Sequence, residues 1–280
     1  MSRKTVVLLL WIAIYIPQVL FADENLPARI ISLAPSLTHE IYELGAQSML
    51  VGVTVFRPEC AGSKEIVGNL TQLNYEKILA LAPDLILMSK DSNTQRDVAM
   101  LKALGMRIEV FDACEDLDCI CAEFISLATL IGRQNHAQRI VDEVKGEVSG
   151  LQQYLSGRKT LRIFWQISEN PLISATDATF VGDFIRFAGC SNIFGDMLNR
   201  YPRVNIETVI RLNPEVIIIV SPMASSSEDV SSLWQNFQEI DAVRDGRIYQ
   251  IPADVVCRPT PLMFLKGLKT VVETLYPGVL

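Results

Sequence analysis

Apolar positions along the chain alternate between short continuous runs and longer stretches with helical spacing. Residues 85–88 and 216–220 are continuously apolar, as in strands that are buried on both faces. Each run follows a short helical stretch that ends near a proline, Pro83 or Pro214. This alternation predicts an α/β fold with parallel sheets covered by helices.

The same pattern occurs twice in the chain. Residues 75–86 correspond to residues 206–217, and the correspondence pairs Glu76 with Glu207, each in the first turn of its helix. Strand-like segments recur in the same order around both copies, at residues 29–33 and 161–165 and at residues 105–111 and 246–251. The repeat predicts two similar α/β lobes with a ligand cleft between them.

Between the repeats, apolar residues at helical spacing predict a long amphipathic helix over Gln134–Leu155. We expect an N-terminal lobe over residues 23–133, one long, rigid connecting helix over residues 134–157 and a C-terminal lobe over residues 158–280. Ligands of open parallel sheets bind where the strands end. The loops expected at the cleft are residues 34–38, 54–59, 89–93, 168–172 and 254–260.

The first 22 residues have the pattern of an export signal. Arg3 and Lys4 precede an apolar stretch that ends at Ala22, where we place the cleavage. A retained membrane anchor is the alternative, because the stretch is close to the ~17 residues that a spanning helix needs. Cleavage predicts a periplasmic chain. The net formal charge of the full sequence, −7, disfavours nucleic-acid binding.

Six cysteines make disulfides possible in an exported chain: Cys60, Cys114, Cys119, Cys121, Cys190 and Cys257. The spacing of the three central ones lacks the paired CxxC units of a zinc site, so buried thiols or one local disulfide fit better. With only two histidines, the chain is not expected to hold a free metal ion.

Several motifs together resemble a known family. They are RIISLAPSLT at residues 29–38, VGVT at residues 51–54 and the two helix–proline–strand repeats. The chain is similar to the periplasmic binding proteins of cobalamin, iron-siderophore and haem ABC importers, from Arg29 to about Pro277. This resemblance implies lobes joined by one long helix, a metal chelate as ligand, and no resident cofactor.

The cobalamin-binding branch is the most similar, through Gln166, Asn170-Pro171, residues 188–194 and Tyr201-Pro202. In that branch aromatic side chains of both lobes sandwich the corrin. The resemblance therefore implies a ligand site with four contacts and an importer-docking pair. The ligand contacts are Phe56, Tyr201, Asp254 and Arg258, and the docking pair is Glu76 and Glu207.

The chain also departs from that branch, since Ser89 replaces a tryptophan and His39 replaces a glutamate. Phe56 and Tyr201 also suit ordinary packing, and Arg258 also suits a salt bridge within its lobe. Trp165, inside an apolar strand, is expected in the core.

We expect a monomeric binding protein that delivers a metal chelate, most simply a corrinoid, to the membrane subunits of an ABC importer. The alternatives are a ferric siderophore or haem as ligand, or a ligand-sensing ectodomain of the same fold. An enzyme is disfavoured, because the sequence has no GxSxG elbow, phosphate-binding glycine loop or His–carboxylate pair.

Overall fold

The computed structural model describes residues 26–221 and 232–279. The predicted export signal, residues 1–22, lies outside the described residues. Among the residues that are described, every helix is too short or too polar to cross a bilayer.

The N-terminal lobe is a fully parallel sheet in the order β3-β2-β1-β4-β5. Its strands are β1 (Ile30–Ser32), β2 (Leu50–Val53), β3 (Glu65–Ile66), β4 (Leu85–Ser89) and β5 (Ile108–Phe111). The helices of this lobe are α1 (Pro35–Glu43), α2 (Tyr75–Ala80), α3 (Gln95–Ala103) and α4 (Leu117–Leu130). All five residues of β4 are buried, as the continuous apolar run predicts.

The C-terminal lobe has a second sheet in the order β10-β9-β6-β7, with β8 also paired to β6. Its strands are β6 (Arg162–Glu169), β7 (Leu172–Ser174), β8 (Ser191–Asn192), β9 (Val216–Ser221) and β10 (Ile248–Pro252). Its helices are α6 (Phe180–Phe187), α7 (Ile206–Leu212), α8 (Asp241–Arg244), α9 (Ala253–Val256) and α10 (Pro261–Leu275). The pairing of β7 with β6 is antiparallel, because the short link between them forms a hairpin.

The two copies of the repeat have the same local structure. An asparagine side chain caps each helix: Asn74 accepts from the Lys77 N–H at 2.9 Å, and Asn205 accepts from the Thr208 N–H at 2.8 Å. Each cap satisfies a backbone donor that the first helical turn leaves unpaired. The two-lobe prediction is thus confirmed at the level of single hydrogen bonds.

The ends of the two repeat helices match as well. Ala82 after α2 and Asn213 after α7 both have a left-handed backbone, with φ of 42° and 43°. Arg29 donates to the carbonyls of Leu81 and Ala82. The corresponding Arg162 donates to the carbonyls of Leu212 and Asn213. In both lobes an arginine beside the first strand therefore fixes the turn into the next strand.

The connecting helix α5 runs over Gln134–Leu155, the bounds that the apolar spacing predicts. Its buried face packs against α4 on one side and α10 on the other. One apolar core includes Ile30 of the first sheet, Val144 of α5 and Ile163 of the second sheet. This continuous packing opposes hinge motion between the lobes. The lobe boundaries at residues 133 and 157 stay a prediction.

Candidate ligand site

A cleft of about 610 Å³ lies between the two lobes, in the size range of small-molecule sites. Its N-terminal side is lined by Pro35, Ser36, Leu70, Asp91, Ser92 and Cys114. Its C-terminal side is lined by Trp165, Ile167, Ile173, Phe180, Val181, Arg200, Tyr201, Val220, Val256, Cys257, Arg258 and Pro259. One wall is thus small and half polar, whereas the other is broad and mainly apolar.

The RIISLAPSLT motif forms the N-terminal edge of the cleft. Pro35 occupies the first turn of α1, where its missing N–H costs nothing. Inside this turn, the buried Thr38 hydroxyl donates to Ser32 Oγ at 2.9 Å. The motif therefore serves as a rigid strand-to-helix corner that presents Pro35 and Ser36 to the cleft.

The loop after β4 brings a carboxylate to the same edge. Asn93 holds this loop, because its Oδ1 accepts from the Ser89 N–H at 2.9 Å and its Nδ2 donates to the Leu33 carbonyl at 3.0 Å. Burial raises the pKa of Asp91 in this loop, while the positive charge of Arg200 across the cleft opposes that shift. Asp91 and Arg200 thus act on each other from opposite lobes.

The short strand β7 positions Arg200 and Tyr201 on the C-terminal wall. The Ser174 N–H donates to the Pro202 carbonyl and the Thr176 N–H donates to the Arg200 carbonyl, both at 3.0 Å. Tyr201 is 46% exposed and faces the cleft, with the Arg200 guanidinium 6.0 Å from its ring centre.

Trp165 lies deeper in the same wall, fully buried and stacked on Phe184 at 6.1 Å. It is a core residue, as predicted, and it also lines the cleft.

Arg258 connects the cleft to the opposite lobe. Its Nη1 lies 3.0 Å from Nε2 of His39 on α1. Burial, and then the charges of Arg258 and Lys266, lower the pKa of His39 to about 4, so its ring is neutral near pH 7. Because a guanidinium can only donate, Nε2 must accept this hydrogen bond. No carboxylate among the described residues pairs with Arg258, so the alternative of a salt bridge within its lobe is not seen.

Behind the cleft, α1 also contacts the residue that caps α10. Thr260 Oγ1 donates to Glu43 Oε1 at 2.5 Å. Burial raises the pKa of Glu43 to about 7, and the Thr260 hydrogen bond opposes that shift. The pKa of the neighbouring buried Glu40 is raised by burial and by the charge of Glu43. This seam between the lobes therefore favours protonated carboxyl groups.

A disulfide joins Cys114 to Cys119 at the start of α4. The sequence left open whether the central cysteines are buried thiols or form one local disulfide, and the structure contains the local disulfide. The segment that it closes touches the C-terminal lobe at two points. Asp183 Oδ2 accepts from the Leu117 N–H at 2.8 Å, and the Cys114 carbonyl accepts from Arg200 Nη2 at 3.4 Å. The segment thus belongs to the contact between the lobes.

The structure brings together only part of the predicted ligand set. Tyr201 and Arg258 line the cleft. Phe56 is 52% exposed, and neither it nor the exposed Asp254 is among the described residues of the cleft wall. Asp254 lies in the first turn of α9. Burial is the main cause that raises the pKa of the cleft thiol Cys257, and the charge of Asp254 adds to that rise. Their roles as ligand contacts stay a prediction.

Glu76 and Glu207 are both exposed, in the first turns of α2 and α7. A second cavity of about 500 Å³ lies beside Glu76, with a wall formed by residues of the N-terminal lobe.

Sequence reasoning missed Arg200 and Asp91. Arg200 follows no motif, but Asp91 lies in one of the loops expected at the cleft, and that loop was the available signal.

Residues 30–255 of the chain match the family described as periplasmic binding proteins. The chain belongs to this family. Its members bind substrates, and the cleft between two α/β lobes is the feature that such binding requires.

Vitamin B12-binding proteins are among the relatives of this periplasmic binding protein. The one from Vibrio parahaemolyticus is 28% identical over 254 residues, 90% of each chain. The one from Pectobacterium carotovorum is 35% identical over 215 residues, 75% of this chain and 77% of the relative.

Solved structures agree with this relationship. The periplasmic vitamin B12 binding protein of Vibrio cholerae superposes with a TM-score of 0.76 at 30% identity, covering 89% of this chain and 97% of that one. A periplasmic haem binding protein from Pseudomonas aeruginosa superposes with a TM-score of 0.80 at 21% identity, covering 90% and 94%. The second likeness shows the shared fold alone.

Proposed function

We propose that the protein captures a corrinoid of the vitamin B12 type between its lobes and delivers it to an ABC importer. The observation that carries this proposal is the cleft of about 610 Å³ with a broad apolar wall, which suits one face of a large flat ring. The relatives named for vitamin B12 binding support the same ligand. Tyr201 and Arg258 contact the ligand from this wall, and Phe56 and Asp254 complete the contacts at the rim.

Titration calorimetry of the exported protein with cyanocobalamin tests the ligand. We expect saturable binding of one molecule per chain. The absorption spectrum of protein purified from its own periplasm provides a second reading, because corrinoids, haem and ferric siderophores absorb at different wavelengths. Binding of haem with none of cyanocobalamin would contradict the proposal.

Haem or a ferric siderophore is the second candidate, and one observation favours it. The described cleft wall carries two arginines, Arg200 and Arg258, against one aspartate. This excess of positive charge suits a chelate with carboxylate or other anionic groups. Parallel titrations with hemin and a ferric siderophore show whether the protein binds these anionic chelates or a corrinoid, whose side chains are neutral.

We propose that Glu76 and Glu207 dock the protein onto the importer. The repeat places an equivalent carboxylate on each lobe, and both side chains are exposed and available to a partner. A first-turn glutamate also stabilises its own helix, so its exposure alone would not indicate docking. Two equivalent carboxylates suit a membrane partner whose two subunits are related by symmetry.

The double variant Glu76→Ala with Glu207→Ala should keep its ligand affinity but impair uptake in a reconstituted importer. Because exposed charges act mainly on association and salt screens them, the defect should be largest at low salt and shrink at high salt. Glu109→Ala with Glu143→Ala removes the same charge from other exposed positions and serves as the matched control. Loss of ligand binding, or uptake equal to that of the control, would disprove docking at Glu76 and Glu207.

We also propose where the protein acts and in what assembly state. The mature chain is periplasmic, begins near Asp23, acts as a monomer and releases its ligand unchanged. N-terminal sequencing checks the cleavage, and light scattering checks the monomer. Mass spectrometry of the released ligand detects any turnover. A chain that binds the ligand but never restores import would instead be a sensor.

A further inference from the structure

The C-terminal wall of the cleft carries two N–H donors that have no acceptor among the described residues. They are Nε1 of Trp165 and Nε of Arg200, and both atoms are buried. Both side chains line the same cavity. Trp165 itself is 0% exposed. Buried N–H groups are paired in the great majority of native structures, so two in one wall need a physical reason.

Trp234 provides the contrast within the same lobe. It is also 0% exposed, yet its indole N–H donates to Gln166 Oε1 at 2.7 Å. An indole nitrogen has a donor and no acceptor, and a guanidinium likewise only donates. Trp165 Nε1 and Arg200 Nε therefore require the same kind of partner, an oxygen or nitrogen atom with a free lone pair.

The other charged groups of the cleft do not fill this need. Arg258 adds more donors, and its described partner is the neutral ring of His39. Asp91 is the one carboxylate among the described lining residues; the charge of Arg200 reaches it, yet neither Trp165 Nε1 nor Arg200 Nε forms a hydrogen bond with it. The protein side of the cleft therefore offers more donors than charged acceptors.

We infer that Trp165 and Arg200 form a subsite for acceptor oxygens carried on the edge of the ligand. The inference rests on the proposed function and specifies its chemistry: the oxygens are amide carbonyls of a corrin or carboxylates of a porphyrin. A ligand with this chemistry satisfies two donors that have no acceptor within residues 26–221 and 232–279. The subsite thus selects rings with polar oxygen-bearing side chains over bare apolar rings.

Nuclear magnetic resonance of the 15N-labelled indole groups tests the inference directly. The probes are cyanocobalamin, which carries amides, and gallium protoporphyrin IX, a diamagnetic ring that carries carboxylates. In protein that begins at Asp23, which lacks Trp11, the Trp165→Phe and Trp234→Phe variants assign the two indole signals, and either variant alone suffices by elimination. On binding, we expect the Trp165 indole signal to move downfield and its solvent exchange to slow, while the Trp234 signal stays in place.

Affinity gives the second reading. Trp165→Phe keeps a ring but loses the donor, and Arg200→Lys keeps the charge but loses Nε. Each should weaken binding about fivefold to tenfold, as expected for one hydrogen bond. Trp234→Phe is the matched control, with a change below about twofold. If cyanocobalamin shifts the Trp165 signal, the ligand oxygen is that of an amide. If gallium protoporphyrin IX shifts it, the oxygen is that of a carboxylate.

If cyanocobalamin binds without moving the Trp165 signal, with equal affinity for Trp165→Phe and Trp234→Phe, the subsite is overturned and the proposed function stands. If the wild-type protein binds neither probe, the proposed function fails and the subsite fails with it. These two results are distinguishable in the first titration.

Discussion

The two lobes have the same backbone plan but different interiors. In the N-terminal lobe, one side of the sheet packs only aliphatic side chains in its buried core, such as Ile31, Ile78 and Ile86. In the C-terminal lobe the equivalent side packs rings, with Phe164 edgewise on Trp234 at 5.5 Å and on Phe194 at 5.7 Å. The cleft shows the same contrast, because its described aromatic residues, Trp165, Phe180 and Tyr201, all lie on the C-terminal wall.

This difference separates what the repeat preserves from what it leaves free. The helix caps, the left-handed turns and the two arginines maintain the course of the backbone, and both lobes retain them. Core and cleft side chains are not constrained in that way, so the C-terminal lobe has become the aromatic half. We therefore expect mutations in that half to have the larger effects on both stability and binding.

The largest effect is expected from Trp234→Ala. The substitution empties a fully buried ring site and leaves Gln166 Oε1 without its donor. We expect the free energy of unfolding to fall by about 4–5 kcal/mol, measured by chemical denaturation. Ile78→Ala in the aliphatic core is the matched change and should cost about 2–3 kcal/mol. A larger loss of unfolding free energy for Ile78→Ala than for Trp234→Ala would contradict the expected difference between the lobes.

The next effect concerns the two cleft walls. Tyr201→Ala should weaken ligand binding by roughly one to two orders of magnitude, because a ring contact with the ligand is lost. Phe56→Ala on the other lobe should change affinity by less than about threefold, since Phe56 is 52% exposed outside the described wall. Titration calorimetry measures both. Equal losses would mean that Phe56 contacts the ligand as closely as Tyr201 does, rather than only at the rim.

The seam between the lobes gives a smaller, pH-dependent effect. Because the pKa of Glu43 is raised from 4.5 to about 7, its contribution to stability is complete below pH 4.5 and is lost as the pH rises through 7. Glu43→Gln keeps an acceptor for Thr260 but cannot ionise. Its free energy of unfolding should match the wild type at pH 5 and exceed it by about 1–2 kcal/mol at pH 8.

Measurements above pH 6.5 exclude the titration of His39, while Glu40 belongs to the same effect because the charge of Glu43 raises its pKa. The lowered pKa of His39 acts in the opposite direction, because its contribution is complete above pH 6.5 and is lost as the pH falls through 4. Glu109→Gln at an exposed site is the control and should leave the pH profile unchanged. A wild-type protein that is more stable than Glu43→Gln at pH 8 would contradict the assignment.

The smallest effect is expected where the lobes differ at one equivalent turn. Ala82 adopts a left-handed backbone that disfavours alanine, while Asn213 occupies the same conformation with a residue that tolerates it. Ala82→Asn should raise the free energy of unfolding by about 0.5 kcal/mol. The reverse change, Asn213→Ala, should lower it by about 1 kcal/mol, since the Asp241 N–H also loses its acceptor. Chemical denaturation of both variants measures this, and a loss of stability on Ala82→Asn would contradict the account.

Local patterns predicted the elements that local physics determines. The bounds of α5 follow from an uninterrupted apolar stripe, and α2, α7, β4 and β9 follow from the repeat. The strand β7 escaped notice because three residues are too few to show a period. Since β7 holds the segment with Arg200 and Tyr201, the position of that segment could not be predicted from local sequence either.

Trp165 shows the same limit within a correctly predicted element. Its strand was predicted, and its burial is confirmed. Its second role depends on the strand ending at an open cleft and on the absence of a described acceptor for Nε1. Both facts come from tertiary structure, which a single apolar run does not encode. The positions of Phe56 and Asp254, in contrast, came from resemblance and await the binding measurements.

The disulfide between Cys114 and Cys119 lies only two residues from a third cysteine, Cys121. Exchange between disulfides begins with attack by a thiolate. Cys121 is buried, and burial raises its pKa to about 11. Near pH 7 only about one Cys121 side chain in ten thousand is then ionised, a hundredfold fewer than at a pKa of 9. Once α4 has formed, attack by Cys121 on this bond is therefore rare, although the two lie close together in the sequence.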